Sequence, residues 1–294
     1  MIINVLHIGL GPVGAAVVRQ VARRKGMKIV GAVDVDPAKA GRDLGDVCGL
    51  RRKLGVTVLD DITKAVKALK PDIAVLCTDP SLRKVLPQIE QILKLKVAII
   101  STTEELAYPV KAHRVIAKKI DALARRSRVA VLGTGVNPGF AMDALPIALT
   151  ALCAKVDAIE VRRVEPAPRR ELHAGLAESI TMIADALNWK LDRITDEVTP
   201  KMVDDVTVGM TQVGVGYVKG KPLIKLHTES WVGSPEPSDT VHIVGTPPIS
   251  STVTGAHSDI AAAAMVVNAI PKVLTAPPGL RTMKDMVLPG FFGG

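Results

Sequence analysis

Short apolar runs alternate with stretches of helical periodicity through the first 132 residues. An unbroken apolar run of about four to eight residues is typical of a strand that is buried on both faces. The predicted strands cover residues 2–8, 28–33, 56–58, 73–77, 96–100 and 129–132. The predicted helices cover residues 15–24, 62–69, 82–95 and 110–126. This alternation predicts right-handed crossovers and an α/β fold with a parallel sheet.

The pattern changes after a turn-rich linker, residues 133–139. The predicted strands beyond the linker cover residues 156–164, 206–218, 223–232 and 241–244, and the predicted helices cover residues 141–153, 174–187 and 258–270. The last helix is apolar on nearly all sides, so we expect it to pack back on the first domain. We predict two domains, residues 1–135 and residues 136–294, the second being an α+β domain on a largely antiparallel sheet.

A glycine turn, Gly9-Leu10-Gly11-Pro12-Val13-Gly14, joins the first strand to the first helix. Gly9 allows a tight exit from the strand, Gly11 lets a pyrophosphate approach the backbone, and Gly14 lets the helix pack close to the sheet. Asp34 follows the second strand, where a carboxylate can accept hydrogen bonds from both ribose hydroxyls. The sequence therefore predicts a Rossmann dinucleotide-binding domain. The alternative is a βαβ unit whose glycines only shape the turn.

The predicted coenzyme is NAD, because the Asp34 carboxylate would repel the 2′-phosphate of NADP. Lys39 and Arg42 follow closely and soften that preference, so NADP stays possible. Turns after other strands reach the same sheet edge, where nucleotides lie in open α/β sheets. The predicted coenzyme contacts are Gly9, Gly11, Pro12, Val13, Gly14, Asp34, Thr78 and Thr102.

Two adjacent carboxylates, Glu104 and Glu105, follow the predicted strand at residues 96–100. The sheet edge at this point is where the nicotinamide of a dinucleotide is expected. Adjacent side chains point in different directions, so only one of the two can face the ring. A carboxylate there can stabilise an iminium cation or take a proton from an ammonium group. The alternative is an acidic first turn of a helix, which the helix dipole favours.

A substrate pocket is predicted from the linker and from two histidines. Asn137, Pro138 and Phe140 would form one wall with Met142 behind them, and the alternative is a plain inter-domain turn. The remaining pocket candidates are His173 and His257, although a lone histidine is more often structural than catalytic. The sequence contains no spacing typical of a metal site.

Composition narrows the partners and the cellular location. The 294 residues carry a net charge of +9, but the basic clusters are dispersed and aromatic residues make up only 2%, which argues against a nucleic-acid partner. No apolar run of about 18 residues is present, so no membrane span is expected. The three cysteines lack metal or disulfide spacing, and no signal peptide is apparent, which predicts a cytoplasmic protein.

Several motifs together resemble the 2,4-diaminopentanoate dehydrogenases and the native amine dehydrogenases, distant relatives of dihydrodipicolinate reductase. They lie at residues 9–14, 34–37, 101–105, 136–140, 176–179, 267–271 and 278–283. The resemblance implies a homodimer and NAD(P)-dependent oxidative deamination of a small amine, reversible as reductive amination of a ketone or aldehyde with ammonia. It also implies a catalytic glutamate, for which Glu105 is favoured and Glu104 is the second candidate.

Two segments depart from the family pattern: the chain looks short between Arg170 and His173 and again near residues 203–208. Substrate specificity is therefore left open. Our hypothesis is an NAD(P)-dependent amine dehydrogenase. The alternatives are 2,4-diaminopentanoate dehydrogenase itself, with Arg162, Arg163 or Arg169 anchoring the substrate carboxylate, a non-catalytic nicotinamide-binding sensor, and an alcohol or semialdehyde dehydrogenase.

Overall fold

The computed structural model describes residues 2–166, 175–203 and 205–293. The chain divides into two compact units: unit 1 comprises Met1–Gly135 and Ala262–Gly294, and unit 2 comprises Val136–Ala261. The strands are β1 (Ile3–Ile8), β2 (Met27–Val33), β3 (Val58–Leu59), β4 (Ile73–Leu76), β5 (Ala98–Ser101), β6 (Ala130–Gly133), β7 (Lys155–Glu165), β8 (Arg193–Val203), β9 (Val206–Val218), β10 (Lys221–Trp231), β11 (Ser238–Thr246), β12 (Ile249–Thr254) and β13 (Gly279–Arg281). The α-helices are α1 (Pro12–Val21), α2 (Leu44–Val47), α3 (Ile62–Leu69), α4 (Leu82–Lys94), α5 (Arg114–Ser127), α6 (Ala144–Leu149), α7 (Gly175–Ala186) and α8 (Ser258–Thr275).

Unit 1 is built on a seven-stranded sheet in the order β3-β2-β1-β4-β5-β6-β13. Every pairing in this sheet is parallel. The strand order reverses between β1 and β4, which is the switch point where open α/β sheets bind their ligands. The predicted parallel α/β fold is therefore confirmed.

The core of unit 1 consists almost entirely of aliphatic side chains. Leu6, Leu76, Ile89 and Ile99 are fully buried in one cluster between the sheet and the helices. Each such side chain contributes about 1.5–3 kcal/mol through its burial. Because the strands carry apolar residues on both faces, helices must cover both sides of the sheet. Since all the strands run parallel, the loops that follow them lie along one edge.

Unit 2 is built on a six-stranded sheet in the order β12-β11-β7-β10-β9-β8. Four pairings are antiparallel, whereas β7 and β10 run parallel. The sheet is thus largely antiparallel, as predicted, but it is mixed because of this one pair. The predicted hairpin is confirmed, and β9 turns into β10 at Lys219 and Gly220.

Several predicted boundaries are wrong. Helix α6 begins at Ala144 instead of residue 141, because the Asp143 carboxylate accepts hydrogen bonds from the amides of Gly139 and Ala144 and fixes a turn there. Helix α8 continues past Pro271 to Thr275, where buried Val273 keeps the last turn packed. The C-terminal segment, to which no strand was assigned from the sequence, contributes β13, which pairs with β6.

No helix within the described ranges is both long enough and apolar enough to cross a membrane.

Candidate functional site

The glycine turn after β1 is packed tightly at two of its three glycines. Gly9 has a φ of +90°, and a β-carbon there would lie 2.4 Å from the carbonyl oxygen of Cys77. A β-carbon at Gly14 would lie 2.0 Å from the carbonyl oxygen of Gly9. At Gly11, in contrast, a β-carbon would meet no protein atom within 4 Å. Gly11 therefore borders open space at the start of α1, where no side chain caps the helix.

His7 lies directly beneath this turn and was not identified from the sequence. Its side chain is buried, and its Nε2–H donates to the carbonyl oxygen of Gly9 at 3.0 Å. Burial lowers the pKa of His7 to about 4, although the bond to Gly9 and the nearby Asp34 charge act in the opposite direction. His7 is therefore neutral at physiological pH and supports the turn as a hydrogen-bond donor.

Asp34 follows β2, and its carboxylate has three partners. Oδ2 accepts from the amide of Leu10 at 2.7 Å and from Nζ of Lys39 at 3.2 Å, and Oδ1 accepts from the amide of Asp36 at 2.9 Å. Burial favours the neutral acid, but the Asp36 and Leu10 amides and the Lys39 ammonium outweigh it and hold the pKa of Asp34 below its usual value. Asp34 therefore presents an ionised carboxylate directly beside the glycine turn.

A cleft of about 540 Å³ opens between the glycine turn, the end of β2 and the turn after β4. Its lining includes the predicted residues Gly9, Gly11, Asp34 and Thr78. The residues that the sequence did not identify as lining are Ile8, Leu10, Val33, Val35, Asp60, Asp61, Ile62, Cys77, Gln88 and Gln91. A dinucleotide fits this arrangement, because Gly11 leaves space for the pyrophosphate at uncapped helix amides and Asp34 offers acceptors for a ribose.

Some of these additional lining residues carried a signal in the sequence. Gln88 and Gln91 are spaced three residues apart on α4, so they share a helix face with each other. The hydroxyl of Thr78 donates to Oε1 of Gln88 at 2.7 Å. Polar residues that repeat on a helix face next to a switch point could have marked them as part of the cleft lining.

The two predicted glutamates lie on a short 3₁₀ helix, Glu104–Leu106, directly after β5. The Glu105 carboxylate is held by several donors: its Oε2 accepts from the amide of Leu82 at 2.7 Å and from Oγ of Ser81 at 3.2 Å. The same oxygen lies 3.3 Å from Nε2 of His113. Glu105 thus caps the N-terminus of α4, a role that its sequence position did not reveal.

The loops around Glu105 are bonded to each other. The hydroxyl of Thr103 donates to the carbonyl oxygen of Asp79 at 2.9 Å, and the amide of Glu105 donates to the carbonyl oxygen of Pro80 at 3.3 Å. The amide of Thr102 donates to the carbonyl oxygen of Leu76 at 3.1 Å. These bonds bring Thr78, Thr102 and the glutamates to one edge of the sheet, as predicted.

In unit 2, the predicted pocket segment is fixed by Asp143. Its carboxylate is fully buried and accepts from the amides of Gly139 and Ala144 and from the hydroxyl of Ser179. Burial raises the pKa of Asp143 despite these three donors. The segment is therefore a rigid turn, and Oδ1 of Asn137 is buried in it without a hydrogen-bond partner among the described residues.

Pro138, Phe140 and Met142 belong to the same turn. Pro138 packs against Gly175 at the start of α7, and the sulfur of Met142 accepts from the hydroxyl of Thr228 at 3.4 Å. The side chain of Phe140 is half-buried. Buried apolar side chains and an unsatisfied amide oxygen thus occur together on this turn.

The other predicted pocket residues are placed differently. His257 is 52% exposed and lies 3.9 Å from Glu236, and His173 falls outside the described residues. Among the arginines, Arg163 is 1% exposed and is paired with Glu165 and Asp239, so it is not available to anchor a substrate. Arg162 pairs with Glu229, and Arg169 also falls outside the described residues.

No cluster of histidine, cysteine and acidic side chains suited to a metal ion occurs in the part of the chain that the structure describes.

Comparisons with known proteins agree with this geometry. Residues 170–293 match the model of the 2,4-diaminopentanoate dehydrogenase C-terminal domain, and residues 2–103 match that of a CoA binding domain. The 2,4-diaminopentanoate dehydrogenase of Acetoanaerobium sticklandii is 34% identical over 98% of this chain and 94% of its own length. The chain belongs to the 2,4-diaminopentanoate dehydrogenase family. The predicted family and the prediction of a dehydrogenase are thereby confirmed.

One further relative and one solved structure are also similar to this chain. The amine dehydrogenase of Streptomyces virginiae is 25% identical over 95% of both chains. The structure of an amine dehydrogenase from Mycobacterium smegmatis superimposes with a TM-score of 0.87 at 22% identity, over 98% of this chain and 97% of the other. The family alignment to the Acetoanaerobium protein spans 344 positions against 294 residues here, so at least 50 positions have no counterpart in this chain.

Proposed function

We propose that the protein is an NAD(P)-dependent amine dehydrogenase that interconverts a small amine with a ketone or aldehyde and ammonia. The observation that carries the proposal is the cleft at the switch point between β1 and β4, which combines open space at Gly11 with the ionised Asp34 carboxylate. Membership of the 2,4-diaminopentanoate dehydrogenase family supports the choice of an amine as the substrate.

A nicotinamide coenzyme held in the cleft would supply a hydride acceptor for the carbon that bears the amine, or a hydride donor in the reverse direction. Water would then replace the nitrogen, which would leave as ammonia. The residues of the chain bind the coenzyme, orient the substrate and move protons. The proposed coenzyme contacts are Gly9, Gly11, Pro12, Val13, Gly14, Asp34, Thr78 and Thr102. The proposed substrate contacts are Asn137, Pro138, Phe140, Met142, His173 and His257.

A glutamate is proposed to move the proton between the nitrogen of ammonia or amine and solvent. The Glu105 carboxylate already caps α4 and pairs with His113. Protonating such a carboxylate weakens the bonds that hold it, which favours a positioning role. We therefore propose that Glu104 moves the proton, in place of Glu105, which the family resemblance favoured, and that Glu105 positions the Glu104–Leu106 turn.

Paired substitutions test this assignment. Glu104→Gln should lower kcat about 100-fold or more while NADH binding is kept, because general acid–base catalysis is worth about 100- to 10,000-fold. Glu105→Gln keeps an oxygen that can accept from Leu82, so it should keep measurable turnover with a lower melting temperature. If Glu104→Gln keeps full activity and Glu105→Gln is folded but inactive, the two roles are reversed. Full activity in both variants would exclude proton transfer by either glutamate.

A second candidate is 2,4-diaminopentanoate dehydrogenase itself, which the 34% identical relative favours. The substrate carboxylate would need a cationic anchor. Arg163 is 1% exposed and paired with two carboxylates, whereas the paired Arg162 is 57% exposed, which leaves Arg162 and Arg169 as candidates. Comparing kcat/KM for 2,4-diaminopentanoate with that for amines that lack the carboxylate separates the two functions. A preference of less than about tenfold would reject this alternative.

Further proposals concern assembly and location. The family resemblance supports a homodimer, and the cysteine pattern supports a cytoplasmic location. The proposed small-molecule partners, besides the coenzyme, are an amine or carbonyl compound and ammonia. Sedimentation equilibrium would test the dimer, and a monomer at micromolar concentration would reject it. Tight NADH binding without turnover on any amine or carbonyl would instead favour a nicotinamide-binding sensor.

A further inference from the structure

The cleft in unit 1 is lined by an ion pair between a lysine and an aspartate. Asp34 and Lys39 both line the cleft, and Nζ of Lys39 lies 3.2 Å from Oδ2 of Asp34. Under the proposed function, Asp34 is where the adenosine ribose of the coenzyme presents its 2′ substituent. That substituent is a hydroxyl in NAD and a phosphate in NADP. The pair therefore bears directly on coenzyme choice.

The acceptor capacity of Asp34 is largely used within the protein. A carboxylate has about four acceptor positions. The amide of Leu10 and the ammonium of Lys39 occupy Oδ2, and the amide of Asp36 occupies one position on Oδ1. Both ribose hydroxyls of NAD can bind Asp34 fully only if Lys39 moves away. Lys39 is the one donor of the three that lies on a flexible side chain.

Lys39 can move because its ion pairs are open to water. Its side chain is 27% exposed and is also 3.5 Å from Oδ2 of Asp36. Ion pairs that are partly exposed are weak, so a phosphate with nearly two negative charges competes well for the ammonium. Arg42 is the other nearby cation, but its Nη1 donates to the carbonyl oxygen of Ala38 at 3.3 Å on its own loop.

We propose that Lys39 is the ligand for the 2′-phosphate, and that its exchange between Asp34 and that phosphate lets the protein use NADP as well as NAD. This inference depends on the proposed coenzyme site. Without Lys39, a 2′-phosphate would meet Asp34, Asp36, Asp60 and Asp61 with no cation from the cleft lining to offset them. Lys39 thus limits the discrimination against NADP that Asp34 imposes.

The test measures coenzyme binding without any amine or carbonyl substrate. Fluorescence titrations at constant ionic strength give the Kd of NADH and of NADPH for the wild type, Lys39→Met and Lys39→Arg. Lys119→Met is the matched control, because Lys119 also forms an ion pair, with Glu90, but lies on α5. Thermal unfolding followed by circular dichroism verifies that each variant is folded. If Lys39→Met does not fold, Lys39→Gln replaces it.

Lys39→Met should weaken NADPH binding at least about tenfold, because one hydrogen bond to a charged group is lost. The Kd of NADH should stay within about threefold of the wild-type value or fall. Lys39→Arg should keep most of the NADPH affinity, and the control should match the wild type. Equal losses for both coenzymes, or no loss of NADPH binding, would overturn the proposal. A wild type that binds NADH but not NADPH would also overturn it and leave the proposed function intact. A wild type that binds neither would refute the coenzyme site as well.

Discussion

The neutral histidine beneath the glycine turn makes the stability of unit 1 depend on pH. Burial lowers the pKa of His7 from 6.5 to about 4 in the folded protein. Between these two values the unfolded chain binds a proton that the folded chain does not. The stabilising contribution of neutral His7 is therefore complete above pH 6.5 and is lost as the pH falls toward 4. The full difference corresponds to about 3 kcal/mol.

The variant His7→Gln removes the titration and keeps a nitrogen that can donate to the carbonyl oxygen of Gly9. Denaturant unfolding between pH 7.5 and pH 4.5 should show the wild type losing about 2.5 kcal/mol more than His7→Gln over that interval. His242→Gln, at an exposed histidine of unit 2, is the control and should follow the wild type. Parallel pH curves for the wild type and His7→Gln would refute the inference that burial keeps His7 neutral.

Three other predictions follow from the packing. Gly11→Ala should change the free energy of unfolding by no more than about 1 kcal/mol, because the methyl group meets no protein atom, yet raise the Kd of NADH at least about tenfold. Gly14→Ala should lower the free energy of unfolding by about 1–3 kcal/mol, because its methyl group would clash with the Gly9 carbonyl. A Gly14→Ala variant as stable as the wild type, or a Gly11→Ala variant that binds NADH as the wild type does, would contradict these roles. Arg163→Met leaves Glu165 and Asp239 buried without their cation and should cost about 3–5 kcal/mol by denaturant unfolding; an unchanged midpoint would contradict it.

The parts of the site that are local in sequence could be predicted. The glycine turn, the helix after it and Asp34 lie within one βαβ unit, so their spacing alone defines the geometry. Lys39 was also noticed because it follows Asp34 by five residues. Its direct pairing with that carboxylate required the structure, since a long side chain can point in many directions.

The parts that depend on distant contacts could not be predicted. Glu105 caps α4 only because β4 and β5 are neighbours in the sheet, which brings Leu82 and Ser81 next to it. His7 could not be identified either, since nothing in the strand pattern shows that a histidine points at the Gly9 carbonyl. The roles of both residues depend on which elements pack together.

Parts of the fold that depend on distant contacts could not be predicted either. Strand β8 is mostly exposed at the edge of its sheet and lacks a clear apolar alternation, so it was missed. Strand β13 is only three residues long and is held by pairing with β6 and by the carboxylate of Asp121, which accepts from the amide of Leu280. Tertiary pairing, rather than local pattern, defines both strands.

The central claim is that the protein couples hydride transfer to the making and breaking of a carbon–nitrogen bond. The most direct test is to supply NADH, a carbonyl substrate and ¹⁵N-labelled ammonia, and to analyse the products by mass spectrometry. The account predicts one ¹⁵N-labelled amine for each NADH consumed and no NADH oxidation when ammonia is left out. Formation of the alcohol, or NADH oxidation that does not depend on ammonia, would contradict it.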